Sequence, residues 1–208
     1  MMSNVRGLWQ TKIWIGGLLL AGVVLGGWHW LRDEGYVPRP YGHPRIVLPA
    51  HEYVRLQGFP YSFEVSKHAV VVPYTSDNAE PYWISIRYPA FEAEIQLTYK
   101  PVKQDLKLLR EYYDDAYRLT AKHQVKAYSI QEKVLKTPQG HAVVVAELYG
   151  EIPSPIQFHT TDTAQHFLRG ALYFNTATQN DYLAPIIDFI KEDITHLIYT
   201  LTWEQSAH

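Results

Sequence analysis

The chain has 208 residues, a formal net charge of -2, 47% hydrophobic and 19% charged residues. That balance excludes a largely disordered chain, and near-neutrality gives no footing for a nucleic-acid-binding surface. The absence of cysteine excludes disulfides, thiolate metal sites, a cysteine nucleophile and a lipidated N-terminal cysteine, while 16 tyrosines point to β-rich structure.

Residues Ile13 to Leu31 (IWIGGLLLAGVVLGGWHWL) form an apolar run free of Asp, Glu, Lys and Arg. As a helix it would reach roughly 28 Å, close to the thickness of a bilayer core. Trp9, Trp14, Trp28 and Trp30 bracket it, and Arg6 and Lys12 precede it. The excess of positive charge places residues 1–12 in the cytoplasm and everything after Leu31 outside. A cleaved signal peptide shares these features, but no A-x-A site follows and the run is long for one, which favours an uncleaved transmembrane anchor over residues 13–31. Leu19-Leu20-Ala21-Gly22 has the form of a lipoprotein signal, yet Val23 stands where the cysteine would be. Residues 32–49, with Pro38, Pro40, Pro44 and Pro49, read as an extended spacer, and residues 50–208 as one globular domain.

In that domain Tyr61–Val65 and Ala69–Val72 are short β-rich runs. Tyr82–Tyr88 and Phe91–Tyr99 are expected to form a hairpin across Tyr88-Pro89-Ala90. Phe91, Ala93, Ile95, Leu97 and Tyr99 alternate with Glu92, Glu94, Gln96 and Thr98, which predicts a half-buried strand. The period then changes: Val102, Leu106, Leu109, Tyr113, Ala116 and Tyr117 predict a helix with one buried stripe over Val102–Ala121. Strands resume at Val125–Leu135 and His141–Tyr149 around a Thr137–Gly140 turn. A further hairpin pairs Pro155–Thr160 with Gln165–Phe174 across a loop at Thr161–Ala164. Leu183, Ile186, Ile187, Ile190, Ile194, Leu197, Ile198 and Leu201 predict a closing helix, with Pro185 in its first turn and Ile190 and Ile194 in the core. The order gives an α+β fold with a mainly antiparallel sheet and packed helices, a layout similar to the PsbP-like sandwich.

The sequence carries no nucleophile elbow, P-loop, dinucleotide fingerprint or H-E-x-x-H motif. His159, His166 and Asp162 could approach a metal if they met at the hairpin end, but lack a third ligand at fixed spacing; a solvated hairpin end is the simpler expectation, with no metal and no cofactor. Glu111, Asp114 and Asp115 read as a solvated helix face, since adjacent helical residues do not face each other. Glu92 and Glu94 read the same way on their strand. The turn Ser76–Glu80 running through Pro81 into Tyr82 and Trp83 has the character of a binding loop. On Gln165–Phe174, Phe167, Arg169, Ala171 and Tyr173 share one face, opposite an apolar face of Leu168, Gly170, Leu172 and Phe174. An Arg beside aromatics can stack on them and offer its fork to a carboxylate. Arg169, Phe167 and Tyr173, with Tyr82 and Trp83, are therefore the candidate partner-binding residues.

Several strings carry a family resemblance: Pro60-Tyr61-Ser62-Phe63-Glu64, Asn78–Trp83, Ile95–Lys100, Ser154–Phe158 with Thr161-Asp162, and above all His166–Asn175 (HFLRGALYFN). With Leu183-Ala184-Pro185, Phe189–Ile194 and His196-Leu197-Ile198, they resemble the gliding-motility lipoprotein GldD family over roughly residues 39–203. The resemblance implies a membrane-attached accessory of gliding and type IX secretion in Bacteroidetes, with protein partners in the envelope and no catalytic residues. The departure at Val23 implies an inner-membrane, single-pass protein with its domain in the periplasm. The rival expectation is a periplasmic domain that binds a small molecule or lipid between sheet and helix.

Overall fold

The computed structural model describes residues 46–122, 126–175 and 180–204. The anchor at 13–31, the segment before it, most of the spacer and Val125 lie outside the described residues. Among the described residues no helix is long and apolar enough to cross a membrane.

In chain order the elements are β1 (Tyr53–Leu56), β2 (Tyr61–Ser66), β3 (Val70–Pro73), β4 (Ile84–Tyr88), β5 (Ala93–Pro101), α1 (Leu106–Ala121), β6 (Ala127–Lys136), β7 (Ala142–Gly150), β8 (Ile156–Thr161), β9 (His166–Phe174), α2 (Asn180–Thr200) and β10 (Thr202–Trp203). Seven strands form an antiparallel sheet in the order β3-β4-β5-β9-β8-β7-β6, and β1, β2 and β10 form a small second sheet. The expected α+β class with a mainly antiparallel sheet is the observed one.

Alternation along each strand gives the large sheet two unlike faces. Ile84, Ile86, Ile95, Leu97, Leu168, Leu172, Ile156, Phe158, Val143 and Val145 point to one side, where they join Tyr61, Phe63 and Val65 of β2. This closed face is capped by α2, whose Ile186, Phe189, Ile190, Ile194, Leu197 and Ile198 are buried in the same cluster. Ile190 and Ile194 lie in the core as the periodicity requires. Phe189 was not in the expected stripe; it packs edge-on against Phe91 at 5.5 Å. A buried Asp193 ties α2 to β1, to β4 and to the segment before β1, accepting from Tyr88 Oη at 2.9 Å and Tyr53 Oη at 3.0 Å and meeting His51 Nδ1 at 2.7 Å.

The expected β4–β5 hairpin forms, with Tyr88 opposite Ala93. Its turn is a 3-10 segment, Pro89–Phe91, followed by Glu92 at φ 50°, so Phe91 and Glu92 belong to the turn rather than to β5. Tyr82 and Trp83 likewise precede β4, because Tyr82 takes φ 67°. Pro185 sits in the second turn of α2, since that helix starts at Asn180, ahead of the apolar stripe that advertised it. β1 and β10 are too short to show a period and were not anticipated.

Candidate functional site

The opposite, open face of the sheet is only partly covered, and α1 does the covering. β5 ends at Pro101, after which the Val102 N–H donates to Gln165 O at 2.8 Å and the Gln104 N–H to Ala164 O at 2.6 Å. Between them the chain reverses through Lys103 and Gln104, both left-handed at φ 56° and 58°. Neither is glycine, so this turn holds strained backbone against the hairpin beside it. Asp105 then caps α1, its Oδ1 accepting from the N–H groups of Lys107 at 2.8 Å and Leu108 at 3.2 Å. The helix therefore begins at Leu106, not Val102.

Of the expected stripe, Leu109 and Ala116 are buried, joining Val102 and Phe167 in a small cluster. Leu106 is 74% and Tyr117 66% exposed. The stripe is narrow because α1 rests on the Phe167 end of β9 and the sheet beneath the rest of it is open. Under that overhang lies a cleft of about 250 Å³, lined by Tyr113, Asp114, Tyr117 and Thr120 of α1 and by Glu132, Val144, Ala146, Gln157, His159 and Arg169 of the sheet.

Register explains why those sheet residues meet. β8 and β9 pair Thr161 with Phe167, His159 with Arg169 and Gln157 with Ala171. Arg169 donates from Nη2 to Gln157 Oε1 at 2.7 Å, and Thr120 Oγ1 donates to the same oxygen at 3.1 Å. Gln157 Nε2 is buried with no partner among the described residues. The His159 ring stacks on Phe167 at 5.9 Å and meets Tyr113 edge-on at 5.5 Å. Burial, and then the nearby Arg169 charge, push its pKa down to about 4, so at neutral pH it is an uncharged wall of the cleft.

The five candidate partner-binding residues do not form one patch. Arg169 lies in the cleft. Phe167 shares its face, but α1 covers it and its ring packs on Tyr112 at 5.5 Å, so it offers no free surface. Tyr173 is half-buried four residues further along β9, roughly 13 Å away by strand rise, opposite Glu94. Arg169 is thus not held between two aromatics as the alternation implied; its next neighbour on that face is Ala171. Trp83 donates from Nε1 to Tyr99 O at 2.8 Å and carries Lys100 Nζ over its ring at 5.6 Å. Lys100 also lies 5.3 Å from the Tyr112 ring and pairs with Glu80 at 2.9 Å. Tyr82 is exposed, packs edge-on against Tyr99 at 5.9 Å and belongs to a separate hollow with Pro60, Pro81 and Pro101.

His159 and His166 do not face each other. His166 points to the closed face, where Tyr99 Oη meets its Nδ1 at 2.9 Å and Trp203 stacks on it at 5.1 Å. Asp162 Oδ1 accepts three backbone N–H groups, from Ala164, Gln165 and His166, at 2.9 to 3.0 Å. Burial opposes ionisation of Asp162, but these donors hold its pKa below the usual carboxylate value. That carboxylate shapes the hairpin turn and is taken up by doing so. On α1, Asp115 pairs with Arg118, and Glu111 and Asp114 are exposed. Glu94 pairs with Arg87 at 3.4 Å.

Gln157, Thr120, Tyr113, Tyr117 and Glu132 were not singled out from sequence. One signal existed: Gln157 and His159 are the polar partners alternating with Ile156 and Phe158, so they had to share the face opposite the core. Their pairing with Arg169 depended on a register that the residues of the loop did not reveal.

A family model described as gliding motility lipoprotein GldD matches residues 33–203. Among solved structures, the chain is similar to the solution structure of cyanobacterial PsbP (CyanoP) from Synechocystis sp. PCC 6803, at 11% identity and a TM-score of 0.45, over 79% of this chain and 99% of that one. That likeness is too distant to bear on function. No curated protein matches the chain. The family match covers most of the sequence, cleft and both helices included, and the chain therefore belongs to the gliding motility lipoprotein GldD family, a gliding-motility-associated component of the cell envelope.

Proposed function

We propose that the protein is a non-enzymatic accessory of the gliding and type IX secretion apparatus, held at the inner membrane by residues 13–31 with its domain in the periplasm, and that it works by binding other envelope proteins through the cleft beneath α1. Family membership supports the setting. The observation that carries the binding site is Arg169: a half-buried guanidinium with no carboxylate within ion-pair distance among the described residues, under exposed Tyr113 and Tyr117. Arginine and tyrosine at a recess are the residue types that dominate interface energetics. The rival reading, a lipid or small-molecule site, has the same cleft to use, but about 250 Å³ with charged and hydroxyl lining suits a side-chain-sized group better than an acyl chain.

A photo-reactive residue at Tyr117 is expected to crosslink envelope proteins in intact cells, whereas one at Tyr199, exposed on α2, is not. Arg169→Ala, present at normal level and folded, is expected to impair gliding or secretion. No crosslink from Tyr117, or full gliding and secretion in the Arg169→Ala strain, overturns the site.

A further inference from the structure

Gln157 sets the chemistry of the cleft. Its Oε1 receives the Arg169 guanidinium at 2.7 Å, which fixes the amide orientation, since the reversed amide would set its own N–H groups against those of arginine. The same oxygen lies 3.1 Å from the Thr120 hydroxyl. The amide nitrogen is thereby committed to the other side, and there it has no partner, although Gln157 is only 2% exposed. A buried, unpaired N–H of this kind is normally satisfied; leaving it empty is unfavourable. Beside it stands a guanidinium with a single hydrogen bond, to Gln157 itself, among the described residues. The Gln157 amide N–H lacks an acceptor, and the adjacent guanidinium has N–H groups to spare beyond its bond to Gln157.

The surroundings narrow what that acceptor can be. A guanidinium fork fits a carboxylate or a phosphate. Asp114 and Glu132 line the same cleft and would repel a multiply charged anion, while tolerating one negative charge neutralised by Arg169. His159, depressed well below neutrality by burial and by Arg169, adds no second cation there. The floor includes the apolar side chains of Val144 and Ala146, so the group that carries the anion is itself small and apolar-sided.

We propose that the cleft beneath α1 receives a carboxylate borne by a protein chain, either an acidic side chain or a chain end, held by the Arg169 guanidinium and the Gln157 side-chain N–H. This rests on the reading of the cleft as a partner site and adds the chemistry of what enters it.

The test follows the Gln157 side-chain NH₂ and Arg169 Nε resonances of the full-length protein in detergent. Four probes are titrated: acetyl-Ala-Phe with a free carboxylate, its C-terminal amide, acetyl-Glu-amide and inorganic phosphate. A saturable shift of the Gln157 NH₂ with at least one carboxylate probe is expected, with the neutral amide and phosphate at least about tenfold weaker. A response to the first probe alone identifies a chain end, a response to acetyl-Glu-amide alone an acidic side chain, and both support the proposal. Arg169→Lys keeps the charge and Gln157→Met the volume; each is expected to weaken the carboxylate probe about tenfold or more with its fold intact. No shift with either carboxylate, equal binding of the neutral amide, or tighter binding of phosphate overturns the proposal. Crosslinks from Tyr117 that persist in that event leave the partner site standing with another chemistry. A carboxylate response without crosslinks removes the partner instead.

Discussion

The two helices of this domain are built to different specifications. α2 buries six large apolar side chains against the closed face and is tied by Asp193 to three further residues. α1 buries Leu109 and Ala116, is capped by one aspartate and hangs over a polar cleft. The difference separates stability from recognition: α2 completes the core, whereas α1 is a cover whose free margin is the functional surface. Elements with few buried contacts open at lower free energy than the core.

The largest expected effect lies on α2. Ile194 is 2% exposed in the middle of the main cluster, so Ile194→Ala is expected to lower unfolding free energy by about 2–5 kcal/mol. Leu109→Ala on α1 is expected at or below the bottom of that range, because the sparse cluster around it can collapse. Denaturant midpoints measured on both variants decide; equal losses would erase the distinction between the helices.

That asymmetry was legible in part. The closing stripe placed Ile190 and Ile194 in the core because burial on one whole side forces strict 3.6 spacing. The α1 stripe misled because Leu106 and Tyr117 keep the spacing while staying largely exposed, and Tyr113 meets the sheet only through His159 and Phe167. The cleft itself was hidden by register. Placing the hairpin loop at Thr161–Ala164 set His159 against His166, whereas β8 runs on to Thr161 and His159 pairs with Arg169. The cause is the capture of three backbone N–H groups by Asp162, a local turn geometry that alternation does not encode. Alternation did put Arg169 on the face opposite Leu168 and Leu172, since that inference needs only the strand, not its partner.

The closed face should also resist added volume. At Gly170 a new methyl group would lie 2.8 Å from Leu97 Cδ2 and closer still to the Phe158 ring. Gly170→Ala is therefore expected to destabilise by about 1–3 kcal/mol, through displacement of Phe158. A Gly170→Ala protein with an unchanged midpoint would show that the ring has room to move.

Two histidines, His159 on the open face and His166 on the closed one, are expected to set the pH response below neutrality. Burial and Arg169 bring the His159 pKa from 6.5 to about 4, so the unfolded chain binds more protons in that window. Stability is then full above about pH 6.5 and falls as pH drops toward 4, by about 1–2 kcal/mol after allowance for the ring's partial exposure. His166, also lowered mainly by burial, contributes in the same direction. Further acidification acts on Glu147. Burial opposes its ionisation, but bonds from Lys191, Lys133 and Tyr149 hold its pKa at about 2, so its contribution is lost from about pH 4.5 downward. His159→Gln should reduce the loss across the upper window to the part that His166 contributes, and leave the lower window unchanged. A wild-type midpoint that does not move between pH 7 and 4 would contradict the burial of this ring.

The smallest effect gives the sharpest view of the helices as separate units. Asp105 satisfies two N–H groups at the start of α1, and Asp105→Ala is expected to weaken that helix by about 1 kcal/mol. If α1 opens without the core, its amide hydrogens exchange faster than those of α2 in the wild type. Asp105→Ala should then speed exchange along α1 about fivefold. Ile194→Ala supplies the control. It favours openings that break the main cluster, so α2 amides should exchange faster, while α1 amides, released by an opening that leaves Ile194 in place, should keep their wild-type rates. Parallel acceleration of α1 and α2 in Ile194→Ala would mean that the two helices unfold as one unit, and that the margin over the cleft is no freer than the core.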